Sequence, residues 1–265
     1  MIKLSIIITH HKTLELLDLC IKSIKETAGI LKYEIIVVDS EAEKNSQETI
    51  KEKHPEIKFI PFKKNLGYSK IVNTGIKETK GEYILILNAD IIILENAISE
   101  LVEFMDKNHK CGIAGPQLLD FAGNIQPSCF KNPIPTAIVA RRTLLGRTGY
   151  GKKALEKFYM EKSDSESAKE VDWIQGSAMM IRRGAMEKVG LFDERFFMYF
   201  EDADLCRRFW QSGWKVIYLP KAKMAHYYHR SSKKWGGLMD MILNKYTRIH
   251  IVSAIKYFLK YRKTK

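Results

Sequence analysis

Short β-branched runs alternate with longer stretches of helical period through the first ninety residues, and two of the runs lead into an aspartate. This alternation is the pattern of βαβ units feeding a parallel sheet, which confines the chain to the α/β class. The expected strands are 4–9, 34–39, 58–61 and 83–87, and the helices between them 14–27, 46–53 and 69–79. In open α/β sheets ligands lie beyond the carboxyl ends of the strands, so Asp39 and Asp90 stand where a ligand-contacting acid is expected.

A helix at 97–108 and a strand at 112–117 follow. From 128 to 169 the pattern weakens around Pro133 and Pro135, Arg141, Arg142 and Arg147, and a polar run at 163–167, so this stretch reads either as a binding loop or as a surface excursion. Periodicity returns with a strand at 177–182, a short helix at 184–189, an aromatic turn at 192–200, a helix at 203–212 and a strand at 215–219. With 45% hydrophobic residues and no linker-like stretch, the 265 residues fit one domain, 1–236, and a tail, 237–265.

Charge distinguishes that tail. The chain carries a formal +13, and after Asp240 it has no acid but has Lys245, Arg248, Lys256, Lys260, Arg262, Lys263 and Lys265. Leu238, Ile242, Tyr246, Ile249, Val252, Ile255 and Leu259 recur at steps of three and four, an apolar stripe on a cationic helix. Such a helix either packs on the domain or lies on an anionic membrane surface. Four dispersed cysteines, Cys20, Cys111, Cys129 and Cys206, fit a reducing cytoplasm. Neither a secretory leader nor a membrane-spanning run stands out, so the expected location is cytoplasmic, peripheral at the inner face of the cell membrane.

Several segments carry chemistry. A carboxylate placed like Asp39 can accept a hydrogen bond from the N3–H of uracil or thymine, which cytosine lacks; a turn aspartate is the plainer alternative. Asn65-Leu-Gly67 leads into a helix start where free N–H groups and Lys70 could meet phosphate or ribose, or simply cap the helix. Asn88-Ala-Asp90 lies between apolar runs that could hardly solvate an ionised Asp90, so that carboxylate needs a hydrogen-bonding partner or a divalent cation, Mg or Mn, bridging it to a diphosphate. Asp193, Glu194, Glu201 and Asp202 surround an aromatic patch before Asp204. Aromatic walls exclude water, and an adjacent carboxylate pair can set a base beside a hydroxyl, although one member could be an N-cap. His226 could give the cation a nitrogen ligand or serve structure alone.

In order, Val38-Asp39, Asn65-Leu-Gly67, Asn73-Thr-Gly75, Gly81-Glu-Tyr-Ile-Leu-Ile-Leu-Asn-Ala-Asp90, Asp172-Trp-Ile-Gln-Gly-Ser177, Phe192-Asp-Glu194, Tyr199-Phe-Glu-Asp-Ala-Asp-Leu205, Pro220-Lys-Ala222 and His226 resemble bacterial family 2 glycosyltransferases, most closely their rhamnosyltransferase-like branch. The resemblance runs from residue 4 to about 232. It implies the GT-A fold, a Rossmann-like mixed sheet flanked by helices, with a nucleotide-binding half at 1–117 and an acceptor half at 118–236. The implied reaction is a metal-dependent, inverting transfer from dTDP-rhamnose or a UDP-hexose to a glycan or lipid-linked glycan in cell-surface polysaccharide synthesis.

The resemblance also assigns residues. Thr9, Asp39, Asn65, Gly67, Lys70 and Asn88 fall to the donor, Asp90 to the metal and diphosphate, and His226 to the metal. Asp202 becomes the base with Glu201 beside it, and Trp173 and Gly176 lie near the sugar or acceptor. Asn88 departs from the usual Asp-x-Asp and leaves the metal dependent on the nucleotide's own oxygens. Among rival readings, a nucleotidyltransferase needs a Gly-rich loop after the first strand, whereas Thr9-His-His-Lys-Thr13 has no Gly. A basic nucleic-acid-binding protein leaves Asp39, Asp90 and the Glu201-Asp202 pair unexplained in a polyanion cleft. A non-catalytic nucleotide-sugar- or glycan-binding descendant follows if Asn88 has cost the site its metal.

Overall fold

The computed structural model describes residues 2–160, 166–227 and 244–262. Its first part alternates as expected: β1 (Leu4–His10), α1 (Leu14–Thr27), β2 (Tyr33–Ser40), α2 (Lys44–Lys53), β3 (Lys58–Phe62), α3 (Tyr68–Lys77) and β4 (Tyr83–Asn88). Then come β5 (Ile91–Ile93), α4 (Ala97–Lys107), β6 (Cys111–Leu119), β7 (Ile125–Gln126), β8 (Cys129–Phe130), α5 (Pro135–Ala140), a 3-10 turn at Leu144–Arg147 and α6 (Gly149–Tyr159). After these stand β9 (Lys169–Glu170), β10 (Trp173–Ile174), β11 (Ala178–Arg182), α7 (Arg183–Val189), α8 (Glu201–Gln211), β12 (Lys215–His226) and α9 (Lys245–Tyr261).

The main sheet runs β3-β2-β1-β4-β11-β6-β12-β5, with β7 on β6 and β9 on β12. All seven residues of β1 are buried because the sheet is covered on both faces. Leu4, Ile6 and Ile8 join one core with Leu17, Ile21 and Ile24 of α1 and Leu101 of α4. Ile7 points the other way, into a second core with Val72 of α3, Phe209 of α8 and Tyr257 of α9. β1, β2, β3 and β4 are parallel, whereas β11 enters antiparallel between β4 and β6. The carboxyl ends of β1, β2 and β4 therefore share one edge with the start of β11. β12 is parallel to β6 and antiparallel to β5, and the pairing of Ile91 with His226 brings the end of β12 to that edge beside Asp90.

Three expectations change. The described residues 128–160 hold two helices: Pro135 opens α5, where a missing N–H costs nothing, and Thr148 accepts a hydrogen bond from Gly151 N–H to cap α6, while 161–165, with most of the polar run, lie outside the described residues. β12 does not stop at Leu219 but continues through Pro220 to His226, the register shifting between Leu219 and Lys223. α8 starts at Glu201, behind Phe200 in a left-handed conformation (φ 69°), so Glu201 and Asp202 lie inside its first turn. The boundary expected at residue 117 falls within β6, and the one at 236 lies outside the described residues.

The tail helix shows two faces. Leu238 and Ile242 lie outside the described residues. Of the remaining stripe, Val252, Ile255 and Leu259 face outward, 49%, 54% and 55% exposed. The inward face is Thr247, His250, Ser253, Ala254 and Tyr257. Ser253 Oγ donates to Met198 O at 2.8 Å, Lys256 Nζ to Arg195 O at 2.7 Å, and Tyr257 packs its ring on Phe200. Lys260 bonds Asp193 and fully buried Asp204, which also receives Tyr261 OH and Arg208 Nε. All four cysteines are free and buried, and among the described residues no helix is long and apolar enough to cross a membrane.

Candidate functional site

The shared sheet edge collects buried polar atoms that lack hydrogen-bond partners, in two groups. The first lies where β1 and β2 end side by side, His10 opposite Asp39 in register. Thr13 N–H donates to His10 Nε2 at 3.0 Å, which leaves the ring proton on Nδ1, facing Asp39. Nδ1 stands 3.0 Å from Asp39 Oδ2 but without hydrogen-bonding geometry, so Nδ1, both Asp39 oxygens and Ser40 Oγ remain unpartnered. Asp39 is 1% exposed. Leaving a buried carboxylate unmatched is costly, and an N–H from a ligand would meet the need.

The second group spans the end of β4, the start of β11 and the start of α8. Asp90 Oδ1, Ser177 Oγ and Glu201 Oε2 have no hydrogen-bond partner. Asn88 N–H donates to Ser177 O at 2.9 Å, while its side-chain Oδ1 accepts the Thr9 hydroxyl at 3.0 Å, so Thr9 orients Asn88. Burial pushes the Asp90 carboxyl up to about 6, a backbone hydrogen bond offsetting only part of the effect. His226 Nε2 lies 3.6 Å from Asp90 Oδ1, and burial pushes its imidazole down to about 4, so near neutrality the ring is uncharged. Its Nδ1 lies 3.0 Å from Gln126 Oε1, an interaction that turns Nε2 toward Asp90.

A half-buried carboxylate oxygen without a partner beside a neutral imidazole suits a divalent cation. Among the described residues, however, there is no cluster of three or more His, Cys, Asp or Glu, so most of the coordination shell has to come from a diphosphate and water.

Asp202 is held differently. Its Oδ2 accepts Gly176 N–H at 3.0 Å and its Oδ1 accepts Ala203 N–H at 2.8 Å. Tyr68 OH donates to Gly176 O at 2.5 Å, so the same peptide segment is gripped from α3. A Cβ on Gly176 would come within 3.5 Å of Asp202 Cβ and 3.3 Å of Tyr68 Oη, which leaves a side chain little room. Burial raises the carboxyls of both Asp202 and Glu201, and the two charges oppose each other. Each Asp202 oxygen keeps a second lone pair for an incoming hydroxyl.

Of the remaining expected residues, Asn65, Gly67 and Trp173 also make local structural contacts. Asn65 Oδ1 accepts Gly67 N–H at 2.9 Å in an Asx-type turn. Gly67 sits at φ +89°, where a Cβ would come 2.6 Å from Phe197 O, and the next N–H, of Tyr68, bonds that same carbonyl. Trp173 is buried, stacked on Phe130 at 4.4 Å with its N–H on Lys131 O. Lys70 is exposed on the first turn of α3. Sequence reasoning missed His10, Tyr68 and Ser177. A histidine after the first strand was a visible signal for the first, but the others depend on contacts across the fold.

The model of the family described as Glycosyl transferase family 2 matches residues 5–190. The chain is similar to N-acetylglucosaminyl-diphospho-decaprenol L-rhamnosyltransferase of Mycobacterium tuberculosis, 26% identical over 73% of this chain and 66% of that protein. It is likewise 26% identical to Rhamnosyltransferase WbbL of Escherichia coli, over 68% of this chain and 63% of WbbL. With dTDP-rhamnosyl transferase RfbF of Shigella flexneri, the 26% identity covers 88% of this chain and 72% of RfbF. The chain thus spans just under two thirds of the first two relatives. Among solved structures, GalNAc-T7 with UDP, GalNAc and Mn2+ superposes with a TM-score of 0.66 at 18% identity, over 86% of this chain and 43% of that one. At that identity the likeness speaks to the fold, which is that of the GT-A glycosyltransferases.

Proposed function

Because the chain belongs to glycosyl transferase family 2, we propose that it moves a sugar, with inversion, from a nucleoside diphosphate donor to a hydroxyl of a glycan or lipid-linked glycan acceptor in polysaccharide synthesis. The observation that carries this reading is the collection of orphaned buried polar atoms at one sheet edge, Asp39 and Ser40 at one end, Asp90, Ser177 and Glu201 at the other. Such atoms are matched when a pyrimidine N3–H meets Asp39 and the diphosphate and sugar lie across Asn88, Ser177 and Glu201. A divalent cation held by Asp90 and His226 would neutralise charge on the departing diphosphate.

Asp202, fixed by Gly176 N–H and Ala203 N–H, accepts the proton of the attacking hydroxyl while the aromatic residues behind it exclude water. The first half, through Asp90, then serves the nucleotide, while the second half presents Asp202 to the acceptor and lends Ser177, Glu201 and His226 to the donor side. The names of the M. tuberculosis, E. coli and S. flexneri relatives favour rhamnose as the sugar, and that of the S. flexneri relative favours dTDP as its carrier.

Thermal stabilisation by UDP and dTDP, dependent on manganese and absent with CDP and GDP, is the expected outcome. A nucleotide at a hundred times its Kd adds about 2.7 kcal/mol. No shift with any of the four would sink the reading.

The outward stripe of Val252, Ile255 and Leu259 beside Lys245 and Arg248 supports peripheral attachment at the cytoplasmic face of an anionic membrane. Val252→Glu together with Ile255→Glu should abolish sedimentation with phosphatidylglycerol vesicles; undiminished sedimentation would refute the attachment.

A further inference from the structure

Two buried histidines stand 3.0 Å from an aspartate oxygen, and the fold completes only one of the pairs. His54 Nε2 is hydrogen-bonded to Asp18 Oδ1 at 3.0 Å and its Nδ1 to Lys25 Nζ at 2.9 Å, so both ring nitrogens are used. His10 Nδ1 stands as close to Asp39 Oδ2, yet the ring is turned so that no hydrogen bond forms between them. Thr13 N–H occupies His10 Nε2, which fixes the tautomer whose single N–H is on Nδ1. Both residues are buried, so bulk solvent does not supply the missing partners.

The strands set this arrangement. β1 and β2 are parallel with His10 opposite Asp39, so both side chains leave the same face of the sheet at its ligand-binding edge. The result is a bare donor beside a bare acceptor. A ligand that satisfies both carries an acceptor and a donor on neighbouring atoms. A uracil or thymine ring does so, because its N3–H is flanked on each side by a carbonyl oxygen. A base that gives N3–H to Asp39 brings one of those carbonyl lone pairs up beside the carboxylate. Against a second anionic oxygen that lone pair would be repelled, whereas against an N–H it is bonded.

We propose that His10 reads the base together with Asp39: its Nδ1–H donates to a carbonyl oxygen flanking N3 while Asp39 accepts N3–H. This inference rests on the transferase reading and on the place of the base at Asp39. It makes His10 a second specificity residue, one that acts through a single atom of the ligand, and it gives both bare groups their partners in one binding event.

The test uses the full chain with manganese and isothermal titration of UDP, 2-thio-UDP and 4-thio-UDP, in which sulfur, a weak acceptor, replaces one flanking oxygen at a time. Wild type should bind one of the two thio compounds about tenfold less tightly than UDP, the scale of one hydrogen bond whose donor is left buried. His10→Phe, which keeps a ring without its N–H, should bind UDP about tenfold less tightly and show no penalty for that same sulfur. His10→Asn, whose Nδ2 falls where the imidazole Nδ1 does, should restore part of both. Any effect of sulfur on the N3–H is common to the three proteins and cancels in the comparison. A loss of UDP affinity in His10→Phe with the sulfur penalty unchanged makes the histidine a mere support of the loop and overturns the proposal. So does a wild type that binds all three compounds equally, which needs no variant to fold. Failure of UDP to bind wild type at all strikes the transferase reading and this inference with it, whereas UDP binding with an uncoupled sulfur penalty strikes this inference alone.

Discussion

Asp39 and Asp202 are both buried aspartates at the ends of secondary structure elements, yet the fold treats them oppositely. Asp39 has neither oxygen hydrogen-bonded among the described residues, and His10 Nδ1 stands 3.0 Å from its Oδ2. Asp202 has both oxygens on backbone N–H groups, one of them from Gly176, twenty-six residues away in sequence. A carboxylate left unmatched is one whose partner arrives with a ligand, whereas a carboxylate tied on both oxygens is one whose direction matters. The contrast separates recognition of the base from proton transfer.

The strongest way to break it is at Asp202. Asp202→Asn should lower transfer by about 10²–10⁴-fold, the range of a general base, with the dTDP thermal shift nearly unchanged. A variant that keeps full activity would end the assignment. The same role fixes a pH limb with a definite sign. Because burial raises this carboxyl and couples it to Glu201, the base becomes protonated as the pH falls through the pair's apparent pKa, and the rate should fall there. Asp90 titrates in the same range in the metal-free site, but saturating manganese drives its proton off. An acid limb that persists near pH 6 under saturating metal belongs to Asp202, and one that moves with metal concentration does not.

A smaller effect sharpens the other side. Asp39→Asn should weaken UDP and dTDP by about tenfold to a hundredfold, the worth of a hydrogen bond to a charged group. The amide can also turn its Nδ2 toward the N3 acceptor of cytosine, so CDP should gain as UDP loses. Isothermal titration with the three nucleotides reads both. Unchanged preference would make Asp39 a structural acid, and the comparison with Asp202 would collapse.

Legibility in the sequence follows the range of the interactions involved. The elements from β1 to β4 were readable because each owes its period to its own residues, and α1 occupies the expected 14–27. α5 and α6 were not, because Pro133 and Pro135 read as breakers when one of them opens a helix. Asp90 and His226 could be named from local sequence, but their adjacency depends on Ile91 pairing with His226, which needs β12 to run past Pro220. Tyr68 gave no local sign, since what matters is the peptide that it grips across the fold. In the tail, the period correctly marked a helix but not its packed face. The aromatic loop before α8 offers carbonyls and rings, so it takes small and polar residues such as Ser253 and His250 and leaves the aliphatic stripe outside.

The inward half of that helix changes what its composition means. A count of letters treats each tail cation as part of one outward field, but Lys260 is tied to Asp193 and Asp204, and Lys256 to the carbonyl of Arg195. Lys260 acts as a counterion within the protein, offsetting Asp204 in the first turn of α8 and Asp193 before it, while Lys256 is pinned to a neutral carbonyl. Any attraction this surface exerts on a polyanion therefore comes from fewer charges than the sequence advertises, and its dependence on salt should be correspondingly shallow.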